Sequence, residues 1–320
     1  MTPERPRHFG RDETTLFFDP DAQPLAELKD GERVTVSTAD SICGLWRQMP
    51  PGGLHIDEIV QRLGGACPLT GPFAVAGAEA GAVLEVMIHD VEPDPVEGVA
   101  WNAVFHGFGA LSTDVFGLQD SLGSEVKAIP YRNGIAEVDL GGRSRSIPLH
   151  PFIGTIGVAP ARERRMTFSQ APEYLGDVDQ PGVAAGATVV LPVNVAGGLL
   201  SLGDAHGAQG DGEITGVALE IEAVVDLTVS VSDRDAARFT GLPQLNNATS
   251  IGSIAGFQGV NLGDCARAAY TDLARRLQMF HGFTKLEAYQ LLGQVGRVQV
   301  GNMIDPFYSV LASIDRVYVD

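Results

Sequence analysis

Cysteine is scarce in this chain of 320 residues. Only Cys43, Cys67 and Cys265 occur, with no C-x-x-C pair and no even framework. A disulfide scaffold is therefore excluded, and reduced thiols in a reducing compartment are expected. Basic charge is short too. With 22 Lys and Arg against 40 Asp and Glu, the formal net charge is -18, and no basic stripe offsets it. Such a surface repels a phosphate backbone, so nucleic acid is excluded as a partner. The acidic balance suits a soluble protein acting on small neutral or cationic molecules, and equally serves solubility alone. The opening "MTPERPRHFGRDETT" lacks the apolar core of an export signal, so a cytoplasmic location is expected. One uncharged stretch, Val183 to Gly203, is long enough to span a bilayer. Its glycines, Pro192 and Asn194 divide it into two β-branched runs. It reads as two buried strands joined by a turn, not as a membrane helix. A phosphate-loop lysine and a G-x-S-x-G elbow are both missing, which removes the nucleotide fold and the serine-hydrolase elbow.

Glycine and proline, at 39 and 19 residues, punctuate short runs rich in Val, Ile, Leu and Thr, the pattern of a β core. "ERVTVSTAD" and "AVLEVMIHDVEP" alternate as half-buried strands. "EITGVALEIEAVVDLTVSVSD" reads as a long bent or paired strand system, with Glu220 and Glu222 sharing a solvent face. Residues 100–147 read as a hairpin-bearing insertion, its turn at Asn133 and Gly134. Near the end the period becomes helical. Ala266, Ala269, Tyr270, Leu273, Leu277 and Phe280 share a face, with Asp264 as cap and Gly282 as stop. A second helix opens on the capping box Thr284 and Glu287 and presents Leu286, Tyr289 and Leu292. Two closing strands follow. No polar linker interrupts the chain, so a single domain over 1–320 is expected, mainly β with α elements, an α+β fold.

The chemistry concentrates in "LSLGDAHGAQGDGE", Leu200 to Glu213. Asp204 and His206 lie two apart at the end of a strand and project to one side. Carboxylate with imidazole suits zinc or another borderline divalent metal, and the glycines allow sharp turns and close approach. Asp211 and Glu213, beyond a second glycine turn, can return a further carboxylate to the same pocket. The same residues also suit two polar turns of a hairpin. Asp40, Asp177 and Asp179 end strands at loops and read either as ligands or as turn caps. His106 and His150 are isolated imidazoles, and Cys43 and Cys67, lacking an activating partner, read as small buried hydrophobes.

In the order "TADSICG", "CPLTGPFAVAGAEAGAVLEVMIHDV", "HPFIGTIGVAPA" and "GATVVLPVNVAGGLLSLGDAHGAQGDGEITGVALE", the chain resembles the acetamidase/formamidase family. The C-terminal helices and closing strands resemble it as well. The family's G-D-x-H-x-x-Q-G-D-G-E pattern falls on Gly203, Asp204, His206, Gln209, Gly210, Asp211, Gly212 and Glu213 without mismatch, and its early strand-end acid on Asp40. "GDVDQPG" departs from the family pattern, keeping Gly176 and Asp179 but lacking an Asn, Lys and His, and "TLFFDPD" replaces an amino-terminal His-Trp segment.

The resemblance implies a β-sandwich or barrel core with two C-terminal helices, a homo-oligomer, and hydrolysis of short linear amides. On that basis Asp40, Asp204 and His206 are expected to hold a divalent metal, zinc first and calcium as the alternative. Glu213 and Asp211 are expected to act in catalysis, and Gln209 and Gly210 to meet the substrate. The competing expectation is a non-catalytic β-sandwich that binds a metal or small ligand with the same acids.

Overall fold

The computed structural model describes residues 6–50, 53–111, 123–304 and 306–320. Two large, mostly antiparallel sheets carry the chain, one of nine strands and one of twelve, with a two-stranded ribbon beside them. The first sheet is built around Glu32–Thr38, Ala223–Ser232, Val83–Pro93 and Thr188–Pro192, and continues through Ser250–Gln258 to Phe307–Asp315 and Arg297–Val300. In the expected alternation, Leu84, Val86 and Ile88 of Val83–Pro93 are fully buried while Met87 stays exposed. Buried side chains of both sheets, among them Val34, Val86, Leu227, Phe73, Ile156 and Leu202, form one continuous apolar cluster. That shared core is the α+β sandwich the strand pattern calls for.

The second sheet positions the site. Its central strand, Leu200–Ala208, pairs with Phe152–Gly157 on one side and with Leu219–Ile221 and Leu69–Val75 on the other. Phe152–Gly157 pairs in turn with Leu175–Asp177. The two strands read from Val183 to Gly203 are present as Thr188–Pro192 and Leu200–Ala208, but they enter different sheets. Likewise Leu219–Ile221 and Ala223–Ser232 lie in opposite sheets, because the chain crosses between layers at Glu222. The crossing breaks the two-residue alternation. Glu220 is 2% exposed, so the solvent face expected for it is corrected.

The Asn133–Gly134 turn joins Glu125–Arg132 to Ile135–Asp139 with φ of 50° and 71°, the left-handed pair a two-residue hairpin needs. These strands, with Gly98–Val104 and Ser144–Pro148, extend the second sheet. Part of the expected insertion, 112–122, falls outside the described residues.

Among the described residues, three α-helices complete the fold. Helix α1 (Ile56–Leu63), not foreseen from the sequence, is capped by His55 and Glu58 and packs Ile59 into a small cluster with Ile42, Trp46 and Phe105. Helix α2 (Leu262–Phe280) is capped by Asn261, whose Oδ1 accepts from Asp264 N at 3.0 Å, so the expected cap moves three residues back. Helix α3 (Lys285–Val295) has the Thr284–Glu287 capping box. It buries Ala288 and Leu292, while Leu286 and Tyr289 are 65% and 75% exposed, so the expected apolar face is displaced. No helix among the described residues is long and apolar enough to cross a membrane.

Candidate active site

Strand register assembles the site. His206 lies opposite Phe152 on one side and Glu220 on the other, and Thr155 lies opposite both Gly203 and Asp177. Side chains on neighbouring strands are held about 5 Å apart by the ladder. Asp177, Asp204, His206 and Glu220 thus reach one cavity of about 410 Å³, joined by Asp179, Glu213, Cys67 and Asn302 from loops. Trp46, Phe105, Phe108 and Phe168 line the same space, giving the acids an apolar surround.

One hydrogen-bond chain fixes the imidazole. Gln209 Nε2 donates to the carbonyls of Asp179 at 2.8 Å and Gly301 at 3.0 Å, which leaves Gln209 Oε1 to accept from His206 Nδ1 at 2.9 Å. His206 Nε2 therefore turns to the acids, 3.4 Å from Glu220 Oε1 and 3.6 Å from Asp204 Oδ1. Orientation of one ring nitrogen by a partner on the other is how a ligating imidazole is held.

The carboxylates are incompletely partnered. Asp204 Oδ1, Asp179 Oδ1 and Glu220 Oε2 are buried without a hydrogen bond. Thr155 Oγ1 sits 2.9 Å from both Asp177 Oδ1 and Asp204 Oδ2, yet a hydroxyl has one hydrogen to donate. A proton on one of these acids resolves the pairing. Burial, followed by the charge of Asp204, lifts Asp177 to about 7. Burial likewise tends to raise Asp204, but the charge and proximity of His206, with the hydrogen bond from Thr155, outweigh it and hold this acid below its ordinary value. Burial lifts Glu220 to about 7 and pushes Asp179 and Glu213 well up. Burial alone would lower His206, but Glu220 and Asp204 raise it well above the usual imidazole range. For Cys67, burial and then Asp204 disfavour the thiolate.

The donor atoms fit a cation. Asp204, His206 and Glu220 each bring one ligand-type atom within 4.8 Å of the others, as do Asp179, His206 and Glu213. Nitrogen with carboxylate oxygen is a zinc-type set, and the unpartnered oxygens are the groups an ion would satisfy.

Backbone strain accompanies the assembly. Cys67, Asp179, Asp204 and Glu213 all have φ between 46° and 57°. Each left-handed residue costs about 1–2 kcal/mol, which the surrounding ladder must offset. Gly154 shows the closeness of packing, since a Cβ there would sit 2.7 Å from Asp179 Oδ1 and 3.0 Å from His206 Cε1. Only glycine lets the two strands hold these groups together.

Of the residues expected from the sequence, Asp204, His206 and Glu213 come together in the cavity, with Gln209 holding the imidazole. Asp40 is buried but sits apart from those donor sets. Its Oδ1 accepts from Ile42 N at 3.1 Å and Gly44 N at 2.9 Å, the geometry of a turn cap. Asp211 is exposed and accepts from Gln299 Nε2 at 3.0 Å. Gly210, immediately before Asp211, is exposed, with open space where a Cβ would be. His106 and His150 lie at the surface. Cys43 is exposed and Cys67 lines the cavity, so the buried apolar role expected for both is corrected. Glu220, Thr155 and Asn302 were not legible as site residues. Asp177 and Asp179 carried a signal as strand-end acids, but it was shared with ordinary turn caps.

The acetamidase/formamidase family model matches residues 10–175 and 165–306. A Schizosaccharomyces pombe protein predicted to be a formamidase is 30% identical over 203 residues, 46% of this chain and 47% of that relative, so the match spans about half of its length. The crystal structure of an acetamidase from Bacillus halodurans superimposes with a TM-score of 0.84 at 29% identity, covering 97% of this chain and 98% of that one. An acetamidase from Yersinia enterocolitica gives 0.86 at 29% identity, over 99% and 94% of the two chains. With its fold, its glycine-rich motif and most of its length accounted for, this chain belongs to the acetamidase/formamidase family.

Proposed function

We propose that this chain hydrolyses the C–N bond of short linear amides, consuming one water and releasing a carboxylate and ammonia. The observation that carries the proposal is the convergence of Glu213, His206, Asp204 and Glu220 on one apolar-walled cavity, with buried carboxylate oxygens left unpartnered. Family membership and the acetamidase structures support the same reaction class. Amide nitrogen delocalises its lone pair into the carbonyl and leaves poorly, so the site must activate water and deliver a proton. Glu213, 7% exposed and raised by burial, is suited to both. It takes the proton from water and returns it to the departing nitrogen, a contribution of about 10² to 10⁴ in rate. Gln209 orients the imidazole, and Asn302 Nδ2 donates to Asp179 Oδ2 at 2.8 Å, which fixes one nitrogen and one carboxylate of the site before substrate arrives.

Asp204, His206 and Glu220 are the residues that would hold a divalent cation, zinc by its donor preference and calcium as the oxygen-favouring alternative. Such a cation would supply Lewis-acid polarisation of the carbonyl and of water. The test is ammonia release from formamide, acetamide, propionamide and longer amides, with metal content measured on the same protein. Release from the short amides that falls with chain length is expected. Bound metal without ammonia from any amide would favour a ligand-binding role and overturn the proposal. We further propose a homo-oligomer and a cytoplasmic site of action, checked by light scattering and by fractionation.

A further inference from the structure

Cavity donors extend beyond the imidazole. Cys67, Asp177 and Asp204 each place one ligand-type atom within 4.8 Å of the others, and all three line the cavity. This set shares Asp204 with the set containing His206 and Glu220 but has no nitrogen. Asp204 is divided in its contacts, with Oδ2 against Thr155 at 2.9 Å and Oδ1 buried without a hydrogen bond. Cys67 is held by the backbone. Its N–H donates to Ser41 O at 2.8 Å, its φ is 51°, and two residues later Leu69 pairs with Gly203, next to Asp204. The thiol is thus fixed beside two acids by a strained backbone and a strand pairing, although amide hydrolysis as proposed makes no use of it.

The structure assigns Cys67, Asp177 and Asp204 as donors of a second divalent-cation position, adjoining the His206 position and sharing Asp204 with it. Sulfur in the set selects a thiophilic ion such as zinc or cobalt over calcium or magnesium. Binding exchanges the thiol hydrogen for the ion. The S–H bond breaks, a sulfur–metal bond forms, and the proton leaves to solvent with no change of oxidation state. The shared carboxylate lets two cations lie side by side at the reaction cavity. This assignment deepens the hydrolase reading, but coordination by Cys67 stands or fails independently of it.

The decisive measurement is titration of the metal-free full chain with Co²⁺, followed by absorbance and by metal content. A thiolate-to-cobalt charge-transfer band in the near ultraviolet is expected. Cys67→Ser should lack the band and bind one ion fewer per chain, whereas Glu220→Gln should lower the other occupancy and keep the band. Alkylation of unaltered protein by iodoacetamide, read at the Cys67 peptide, provides a check that needs no variant. Zinc at 100 times its Kd should slow that labelling about 100-fold, by the same mass action that stabilises a liganded state. Exposed Cys43 should label at an unchanged rate. A saturated cobalt protein without the band, or Cys67 labelling indifferent to zinc, overturns the assignment. Ammonia release from the same samples separates this outcome from failure of the hydrolase proposal, because the band reports ligation whether or not amide is turned over.

Discussion

Beneath helix α2, Asp272 accepts from Thr240 Oγ1 at 2.8 Å and Leu242 N at 3.3 Å with one oxygen, and from Ser253 Oγ at 2.7 Å with the other. In the cavity, Asp179, Asp204 and Glu220 each keep a buried oxygen that accepts nothing. Both regions bury charge. Arg276, next to Asp272 on the helix face, donates to Gly252 O at 2.6 Å and Asn246 Oδ1 at 2.8 Å. Burial brings it down to about 10, still charged at neutral pH. The helix network ties α2 to the first sheet, and its acid is satisfied within the protein. The cavity cluster is several acids around one imidazole, and its polar demand exceeds what the protein supplies. Unsatisfied buried acceptors are costly, so their accumulation in one cavity marks a place built for something other than stability.

Breaking each region should therefore give different losses. The largest effect is expected from Glu213→Gln, which should lower kcat for amide hydrolysis by about 10² to 10⁴ with little change in unfolding midpoint. Steady-state ammonia assays beside urea denaturation check it, and near-normal turnover in a folded variant would move the base elsewhere. Asp272→Ala should do the reverse. Three donors lose their acceptor at about 1–3 kcal/mol each, softened by relaxation, so a loss on the order of 3 kcal/mol is expected with turnover per folded molecule intact. Chemical denaturation measures the first and active-site-normalised rates the second.

A cation should act on the cavity alone. In metal-free protein, Asp177 and Glu220 are raised from 3.8 and 4.5 to about 7, so they bind protons more tightly folded than unfolded. Their contribution is complete below the ordinary values and is lost as pH rises from about 4 to about 7. His206, raised above 6.5, loses its contribution in the same direction as pH passes its folded value. Asp204, lowered from 3.8, acts oppositely and loses its contribution as pH falls through its folded value. Metal-free stability should thus decline as pH rises towards neutrality. Zinc at 100 times its Kd should restore about 2.7 kcal/mol and flatten the decline. Thermal unfolding across that range with and without zinc is the measurement, and a metal-free protein that gains stability towards pH 7 would contradict it.

Smaller effects sharpen the contrast further. Gly154→Ala places a methyl 2.7 Å from Asp179 Oδ1 and 2.9 Å from Asp204 O. About 1–3 kcal/mol of overpacking is expected, together with a fall in metal affinity seen by isothermal titration. Asp211→Asn should change turnover least, since this acid is exposed and bonded to Gln299 outside the cavity. A large loss of kcat there would return Asp211 to the catalytic set.

Local rules acting over a few residues made much of this protein legible. Alternation of Leu84, Val86 and Ile88 set a buried strand face, Asn133–Gly134 set a hairpin, Thr284 and Glu287 set a helix start, and the run from Gly203 to Glu213 announced the chemistry. Only the tertiary structure decided which acids share the cavity. Glu220 turns inward because the chain changes sheets at Glu222, and Asp177 arrives because Thr155 pairs with it and with Gly203 at once. Asp40, identical in residue type, engages its own turn instead. The physical reason is range. Propensity and capping depend on neighbours along the chain, whereas the register between distant strands depends on the whole buried core they share.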